Sequence, residues 1–452
     1  MAASFKNLAR SPLAHRVVSS LLANGVRVVL QAGTGLILAR ALGVSALGTY
    51  AWAMAISAIL VVPAQFGTST LLMKEGAAAK ANGDHPKLKT LWIWTIKVTA
   101  LASLVSITAL VAIFYFAQDH FAALDWRVFI VAMAVVPFAV LINLGEAALQ
   151  GTGHTSSAML PGYYVRPVLF VAMLVSLWAS TMVLDPYNAM LAQLAAHILA
   201  AIVVVYQMRR IHREVWAQGP AESVDHSTWR DTAWSFLLIH GQWVILAQMD
   251  ILILGAMSSA DQVGLYRVAF LAAGFILIGT MAMRGVFSER LSNAWATGDI
   301  ALFRDRAALG CILAACIGLP LAALYLFAGE EFLTFAFGEE YGAAETILVV
   351  LSLGQLVLLI RGNTDTALAM TGHERSLGRM TTVSVVINLV LNLTLIPRYG
   401  AVGAAAATAT ALTAQSLFMW LLTRKLLGID MSIFASVMPT LRYLDTQLRR
   451  AR

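Results

Sequence analysis

Five basic side chains lie inside otherwise apolar stretches of this 452-residue chain: Arg27, Lys97, Arg166, Arg267 and Arg361. Guanidinium groups bind diphosphates and carboxylates through paired hydrogen bonds, and a low dielectric strengthens that attraction. If the stretches cross a bilayer, an arginine at its centre costs at least about 2.5 kcal/mol, so each must face water, an acid or a ligand. We therefore predict that the four arginines line a cationic cavity that binds an anionic substrate.

Internal ion pairing is the alternative for two of these arginines. Asp365 follows Arg361 by one helical turn on the same face and could neutralise it. Arg267 could pair with Asp250 or Asp261, or extend its guanidinium to the membrane surface. The sequence leaves both interpretations open.

Three acids, Glu146, Asp250 and Asp365, are also embedded in apolar stretches. Keeping a carboxylate charged in apolar surroundings is unfavourable, so these groups are candidates to take up a coupling ion, a proton or sodium. A salt bridge between helices is the alternative role for Asp250. Gln31 is predicted to hydrogen-bond ligand hydroxyls, although amides between membrane helices usually bond other helices. His197 is expected to be a packed histidine, and no cofactor or metal site is predicted.

The composition identifies the elements that carry these residues. The chain is 59% hydrophobic and 12% charged, against roughly 25% charged residues in soluble domains. A hydrocarbon core about 30 Å thick needs about 20 apolar helical residues per crossing, whereas barrel strands are shorter and alternate. We predict an all-α polytopic membrane protein with twelve transmembrane helices, at 17–42, 46–73, 90–117, 128–149, 157–182, 187–208, 233–257, 263–283, 307–328, 343–370, 380–397 and 401–423.

Lysines and arginines collect in every second gap between these stretches, and only Arg40, Arg127 and Arg398 fall on the opposite side. Cytoplasmic loops carry the excess of basic residues, so both termini are predicted to be cytoplasmic. The net charge of +7 follows from this bias and indicates contact with membrane lipids, not with nucleic acid.

Two fragments of the first half recur in the second half at nearly the same spacing. Ala46–Tyr50 resembles Gln262–Tyr266, and Ala148–His154 resembles Ala367–His373. Six crossings return the chain to its starting side, so the halves are predicted to be parallel repeats that form two lobes around a central cavity. The predicted division is an N-terminal lobe at 1–215, a cytoplasmic linker at 216–232, a C-terminal lobe at 233–428 and a cytoplasmic tail at 429–452.

Several motifs together resemble one family of membrane proteins. Leu38–Gly43 leads into Leu47–Tyr50, and Asp250–Gly255 leads into Val263–Tyr266 in the second half. The signature of the last two helices is Asn388–Asn392, Ile396–Gly400 and Gly403–Ala405. The chain thereby resembles the polysaccharide biosynthesis/export family of the multidrug/oligosaccharidyl-lipid/polysaccharide exporter superfamily.

This resemblance implies a two-lobed flippase of the cell inner membrane, which moves polyprenyl-diphosphate-linked oligosaccharide to the periplasmic leaflet for surface polysaccharide biosynthesis. The implied partners are the lipid-linked oligosaccharide, membrane lipids and other membrane proteins of polysaccharide assembly. Related flippases carry cavity arginines on helices 1 and 8, which favours Arg27 and Arg267 as ligand contacts.

Three alternatives to an oligosaccharide flippase remain. A cation-coupled multidrug antiporter of the same superfamily should display buried acids, whereas this chain embeds five cations and three acids. A membrane-embedded glycan polymerase or ligase needs a catalytic surface, and the outer gaps are too short for a separate domain. No nucleotide-binding or metal-binding motif is present, so ATP hydrolysis is not expected. We predict a transporter and not an enzyme. A purely structural scaffold would leave the embedded arginines unexplained.

Overall fold

The computed structural model describes residues 12–116, 125–180, 184–217, 226–437 and 440. In the first helix, side chains are described at residue 30 and from residue 32 onward. Across the described ranges the chain is helical and contains no strand. The all-α class predicted from the hydropathy is confirmed.

The helices up to residue 257 are α1 (Pro12–Gln65), α2 (Thr68–Ala81), α3 (His85–Phe116), α4 (Trp126–Gly151), α5 (Thr155–Met159), α6 (Arg166–Ala179), α7 (Pro186–Ile211), α8 (Arg213–Ala217) and α9 (His226–Met257). A π-helical turn, Leu160–Val165, joins α5 to α6. Asp125 and Asp185 cap α4 and α7, because each carboxylate accepts a backbone N–H of the first turn.

The later helices are α10 (Ala260–Gly274), α11 (Ile278–Ala296), α12 (Ile300–Phe327), α13 (Gly329–Phe337), α14 (Glu345–Arg361), α15 (Thr364–Met370) and α16 (Glu374–Leu427). Short 3₁₀ turns, Phe275–Leu277 and Glu339–Ala344, precede α11 and α14.

In the described part of the chain, ten helices are long and apolar enough to cross a membrane. The two longest, α1 and α16, have 54 residues each and contain one non-helical glycine, Gly43 and Gly400 respectively. A straight helix of that length would extend about 80 Å, more than twice the hydrocarbon core. The glycine kinks divide each helix where the sequence predicts the boundary between two crossings. The chain is a multi-pass membrane protein, and the count of twelve crossings stays a prediction.

Two predicted spans are wrong as continuous helices. The span 46–73 is interrupted at Phe66 and Gly67, whose φ angles are 49° and 67°. The span 343–370 is interrupted at Gly362, with φ 75°, where a Cβ would lie 2.2 Å from the Met431 carbonyl oxygen. The sequence stays apolar on both sides of each break, because a positive φ angle changes the backbone direction and not the hydropathy. Hydropathy alone therefore could not predict these breaks.

Contacts divide the chain into two compact units, residues 37–255 and residues 1–36 with 256–452. Nearly all of α9 belongs to the first unit, although the repeat pattern assigns it to the second half. The contact division and the sequence repeat describe different properties, so the predicted lobe boundaries at 215, 232 and 428 stay a prediction.

The recurring fragments adopt the same turn in the two units. Thr152 and Thr371 each donate from Oγ1 to a carbonyl four residues earlier, at 2.9 Å in both cases. The glycines that follow have φ angles of 83° and 81°. His154 and His373 then close the turns, with backbone bonds of 2.8 and 2.9 Å to a leucine carbonyl. This match in local structure supports the internal repeat.

Small residues allow close packing of helices within each unit. A Cβ on Gly145 of α4 would lie 2.3 Å from Val204 of α7. In the second unit, a Cβ on Gly354 of α14 would lie 2.8 Å from the Ala409 Cα of α16. Such contacts are typical of membrane helices, which associate through backbone proximity because lipid is as apolar as their side chains.

Candidate functional site

A cavity of about 500 Å³ lies within the unit of residues 37–255. Its volume falls in the range of small-molecule sites, roughly 300–1,000 Å³. The wall is formed by α1, α4, the π-helical turn, α6, α7 and α9. The polar side chains that line it include Ser57, Asn143, Glu146, Arg166, His197 and Gln248.

Arg166 reaches this cavity from the first position of α6, directly after the π-helical turn and between two prolines. Its Nη1 atom lies 3.2 Å from Nε2 of the buried His197 on α7. The other ring nitrogen of His197, Nδ1, lies 2.8 Å from the Gln193 carbonyl oxygen. Because a carbonyl can only accept, Nδ1 carries the proton, and Nε2 accepts from the guanidinium. The arrangement favours a neutral His197 beside a charged Arg166.

Glu146 brings a carboxylate to the same cavity from α4. Its Oε1 atom accepts the backbone N–H of Gly162 at 3.0 Å. Gly162 lies in the π-helical turn, and a Cβ there would approach Oε1 to 2.1 Å. π-helical turns inside α-helices often occur at functional sites. This turn provides the Gly162 N–H that Glu146 accepts, and Arg166 follows directly after it.

The remaining polar wall is held by bonds between helices. Ser57 Oγ lies 2.8 Å from the Ala132 carbonyl oxygen, which ties α1 to α4. Asn143 Nδ2 donates to Gln65 Oε1 at 3.2 Å, a second tie between the same helices. With the amide nitrogen engaged in this way, Asn143 can present its carbonyl oxygen to a ligand.

A second charged cluster lies in the unit that contains residues 256–452. The Asp365 carboxylate is 2.5 Å from Arg361 Nη2 and 2.5 Å from Arg284 Nη2. Arg361 is only 5% exposed, and its Nε and Nη1 atoms have no hydrogen-bond partner among the described residues. The geometry corresponds to the internal ion pair that the sequence offers as the alternative for Arg361.

Of the other predicted site residues, the described side chains of Asp250, Arg267 and Lys97 are not among those that line the Arg166 cavity. Arg27 and Gln31 lie on α1, but their side chains fall outside the described residues. Arg267 is half-buried on α10, and Asp250 is buried on α9. Lys97 is exposed on α3. The ligand and ion-coupling roles of these residues stay predictions.

Sequence reasoning brought neither His197 nor Gly162 to the site. His197 was expected to be packed, and it is buried as expected, but it also bonds the cavity arginine. The available signal was the pair of prolines, Pro161 and Pro167, that flank Arg166. They indicate an irregular helix, but they do not identify the residues that face it from α4 and α7.

Known proteins share both sequence and fold with this chain. The family described as "Polysaccharide biosynthesis protein" matches residues 13–287. A probable low-salt glycan biosynthesis flippase of Haloferax volcanii, Agl15, is 27% identical over 164 residues, which are 36% of this chain and 34% of that protein. The Staphylococcus aureus capsular polysaccharide biosynthesis protein CapF is 35% identical over 89 residues, 20% of this chain and 22% of that protein. The chain thus matches about a third or less of these relatives' length.

Solved structures match over nearly the whole chain. An inward-facing multidrug resistance MATE family transporter of the MOP superfamily gives a TM-score of 0.70 at 13% identity, covering 88% of this chain and 94% of that one. The lipid II flippase MurJ gives a TM-score of 0.67 at 13% identity, covering 95% and 91%. These similarities show that the fold is the two-lobed fold of this superfamily.

Proposed function

This chain belongs to the polysaccharide biosynthesis protein family, and on that premise we propose that it is a flippase for polyprenyl-diphosphate-linked oligosaccharide. The substrate would cross the cytoplasmic membrane by alternating access, for assembly of a surface polysaccharide. The partially matching relative that is named as a probable flippase, Agl15, supports this proposal. The protein would be a transporter and not an enzyme, with both termini in the cytoplasm and other membrane proteins of polysaccharide assembly as partners.

The observation that carries the proposal is the placement of Arg166 in a polar cavity. His197 is its hydrogen-bond partner among the described residues and uses one of five guanidinium donors. The remaining donors suit the paired oxygens of a diphosphate, and the low dielectric would strengthen the contact. Polar groups on the same wall, such as Asn143 and Gln248, suit sugar hydroxyls.

Glu146 gives the cavity a means of coupling to an ion. While its carboxylate is charged, it competes with an anionic substrate for the positive potential of Arg166. Uptake of a proton or sodium ion would remove that competition, so ion and substrate would bind cooperatively. Asp365 is less suited to this role because two arginines neutralise it. The buried Asp250 is a second candidate for ion coupling.

A cation-coupled multidrug antiporter is the second candidate function. It is favoured by one observation, the presence of an acid, Glu146, in the cavity wall. A cationic drug would pair with this carboxylate and be repelled by Arg166, whereas a diphosphate would show the opposite preference.

Gene deletion with complementation distinguishes the two functions. The deletion strain would receive wild type, Arg166→Ala or Arg127→Ala, with membrane abundance measured for each. Arg127 is a matched control, because it is an exposed arginine paired with Asp125 outside the cavity. We expect wild type and Arg127→Ala to restore surface glycan and Arg166→Ala to fail. Intact glycan in the deletion strain, with new sensitivity to cationic drugs, would establish the antiporter instead.

A further inference from the structure

A second cavity, of about 190 Å³, lies in the unit of residues 37–255. Its wall comes from α2, α3, α4, α7 and α8, near the ends of α4 and α7 that are predicted to face the cytoplasm. Apart from Thr95, Arg209 and the indole N–H groups of two tryptophans, the described residues that line it are apolar. Thr95 donates its hydroxyl to the Trp92 carbonyl oxygen within α3. Its donor is therefore satisfied inside the protein and does not need a water molecule in the cavity.

Two tryptophans on this wall have unsatisfied donors. The rings of Trp92 and Trp216 lie 5.5 Å apart, and Trp92 is only 3% exposed. The indole Nε1 atoms of both are buried and have no hydrogen-bond partner in the described part of the chain. Buried indole N–H groups normally find an acceptor, because leaving one without a partner forfeits its hydration. Both atoms are sealed from the cavity in this structure, so a ligand acceptor could satisfy them only if the indole rings turned toward the cavity.

Two basic side chains lie at or beside the same cavity. Arg209 lines it and is exposed, and Lys89 donates from Nζ to the Trp216 carbonyl oxygen at 3.0 Å. The His212 ring lies 5.1 Å from the Trp92 ring. Burial, together with the nearby His154, Lys80 and His85, lowers the pKa of His212 to about 4, so this ring is neutral at pH 7 and adds no positive charge. Among the residues that the structure describes, no aspartate or glutamate lines the cavity.

We propose that this cavity binds an anionic phospholipid of the surrounding bilayer. An upper segment of one acyl chain occupies the apolar space, and the two indole rings turn on binding so that oxygens of the ester or phosphate group accept their N–H bonds. The phosphate lies against Arg209. The site is separate from the Arg166 cavity, so it goes beyond the proposed transport function.

The dimensions and surroundings fit such a ligand. An engineered apolar cavity of about 150 Å³ holds a benzene molecule, so 190 Å³ accommodates a short acyl segment. The rest of the acyl chain would lie along α3, whose exposed residues Leu101, Leu104 and Val105 present an apolar surface. Tryptophan and arginine at this depth are typical of the interface between lipid headgroups and acyl chains.

Native mass spectrometry of the full-length protein in mild detergent tests the headgroup contact. The protein is titrated with phosphatidylglycerol and with phosphatidylcholine that carry identical acyl chains. Wild type should bind phosphatidylglycerol more tightly, and Arg209→Gln should weaken that binding about fivefold. Arg210→Gln is the matched control, because Arg210 is an exposed neighbour on the same helix that does not line the cavity. It should change the affinity less than twofold.

A second pair of variants tests the indole donors. Trp92→Phe keeps an aromatic ring but removes the N–H, so it should weaken the binding of both lipids by about fivefold. Trp94→Phe is its control, since Trp94 packs on Trp229 and does not line the cavity. Equal binding of the two lipids, with no difference between Arg209→Gln and Arg210→Gln, would overturn the proposal. Displacement of the phospholipid by inorganic phosphate alone, or by polyprenyl diphosphate at lower concentration, would also overturn it and assign the cavity to a soluble anion or to the transported substrate.

Discussion

The Nη1 atom of Arg166 lies 3.2 Å from Nε2 of His197, and the two residues come from different helices around one cavity. His197 is fixed from its other side by the Gln193 carbonyl oxygen at 2.8 Å. The histidine therefore works as a neutral acceptor that orients the guanidinium, with its tautomer set by the backbone. This pair defines the proposed anion site.

Replacing His197 tests that orientation. His197→Leu removes the acceptor and should lower the unfolding free energy by about 1.5–3 kcal/mol, the usual contribution of a hydrogen bond to a charged group. Transport should fall as well, because the guanidinium loses its fixed direction. His197→Gln offers another acceptor and should recover part of both losses. Thermal unfolding in detergent and surface-glycan complementation measure the two effects, and equal behaviour of the Leu and Gln variants would contradict the assignment.

Gly162→Ala should displace the Glu146 carboxylate. The added Cβ would lie 2.1 Å from Oε1, so the bond from the Gly162 N–H must lengthen or break. We expect a loss of about 1–3 kcal/mol in stability, as for other overpacked sites, and a shift in the pH dependence of transport. Gly378→Ala is the control, since a Cβ there meets no atom within 4 Å. An unchanged pH profile in Gly162→Ala would argue against a coupling role for Glu146.

Because Arg361 and Asp365 form an ion pair, removing one partner should destabilise the protein more than removing both. Asp365→Ala leaves the buried Arg361 without its counter-charge and should destabilise the protein by about 3–5 kcal/mol. The double variant Arg361→Met/Asp365→Leu removes both charges and should be much closer to wild type. Thermal unfolding of these variants in detergent gives the comparison. A double variant as unstable as Asp365→Ala would instead indicate that Arg361 holds the structure by other contacts.

His212 predicts a loss of stability on acidification. Its pKa in the folded protein, about 4, lies below the ordinary value of 6.5, chiefly because of burial. Between these values the unfolded chain binds a proton that the folded protein does not. The contribution of His212 to the free energy of unfolding is therefore fully present above about pH 6.5 and is lost as the pH falls toward 4. His212→Phe should weaken this dependence between pH 7 and 5, whereas His373→Phe should keep it. Thermal unfolding at several pH values provides the test, and an unchanged slope in His212→Phe would contradict it.

Hydropathy predicted the membrane helices well where a single apolar run forms a single helix. The predicted span 128–149 corresponds to Trp126–Gly151, and the span 187–208 corresponds to Pro186–Ile211. Breaks at Gly67 and Gly362 were missed because each depends on a positive φ angle inside a run that stays apolar. The glycines at Gly43 and Gly400 fall at predicted boundaries, yet the sequence alone did not show that the helices continue on both sides.

The candidate site was predicted only in part. Arg166 and Glu146 were recognised because a charge in an apolar run is conspicuous. Their meeting in one cavity with His197 depends on the rotation and tilt of α4, α6 and α7, which the linear pattern does not define. Arg361 was recognised in the same way, and the sequence offered its pairing with Asp365 as an alternative. The pair forms across the break at Gly362, between the end of α14 and the start of α15, and not along one helical face.

Transport by the purified protein tests the central claim most directly. The full chain would be reconstituted into proteoliposomes that carry a fluorescent polyprenyl-diphosphate-linked disaccharide, and the fraction that becomes accessible to an outside quencher would be followed over time. Wild type and Arg127→Ala should move the lipid at equal rates. Arg166→Ala should be at least about tenfold slower, as expected from loss of a charged contact of 1.5–3 kcal/mol, and Arg166→Lys should be intermediate. Equal rates for wild type and a well-folded Arg166→Ala would contradict the account.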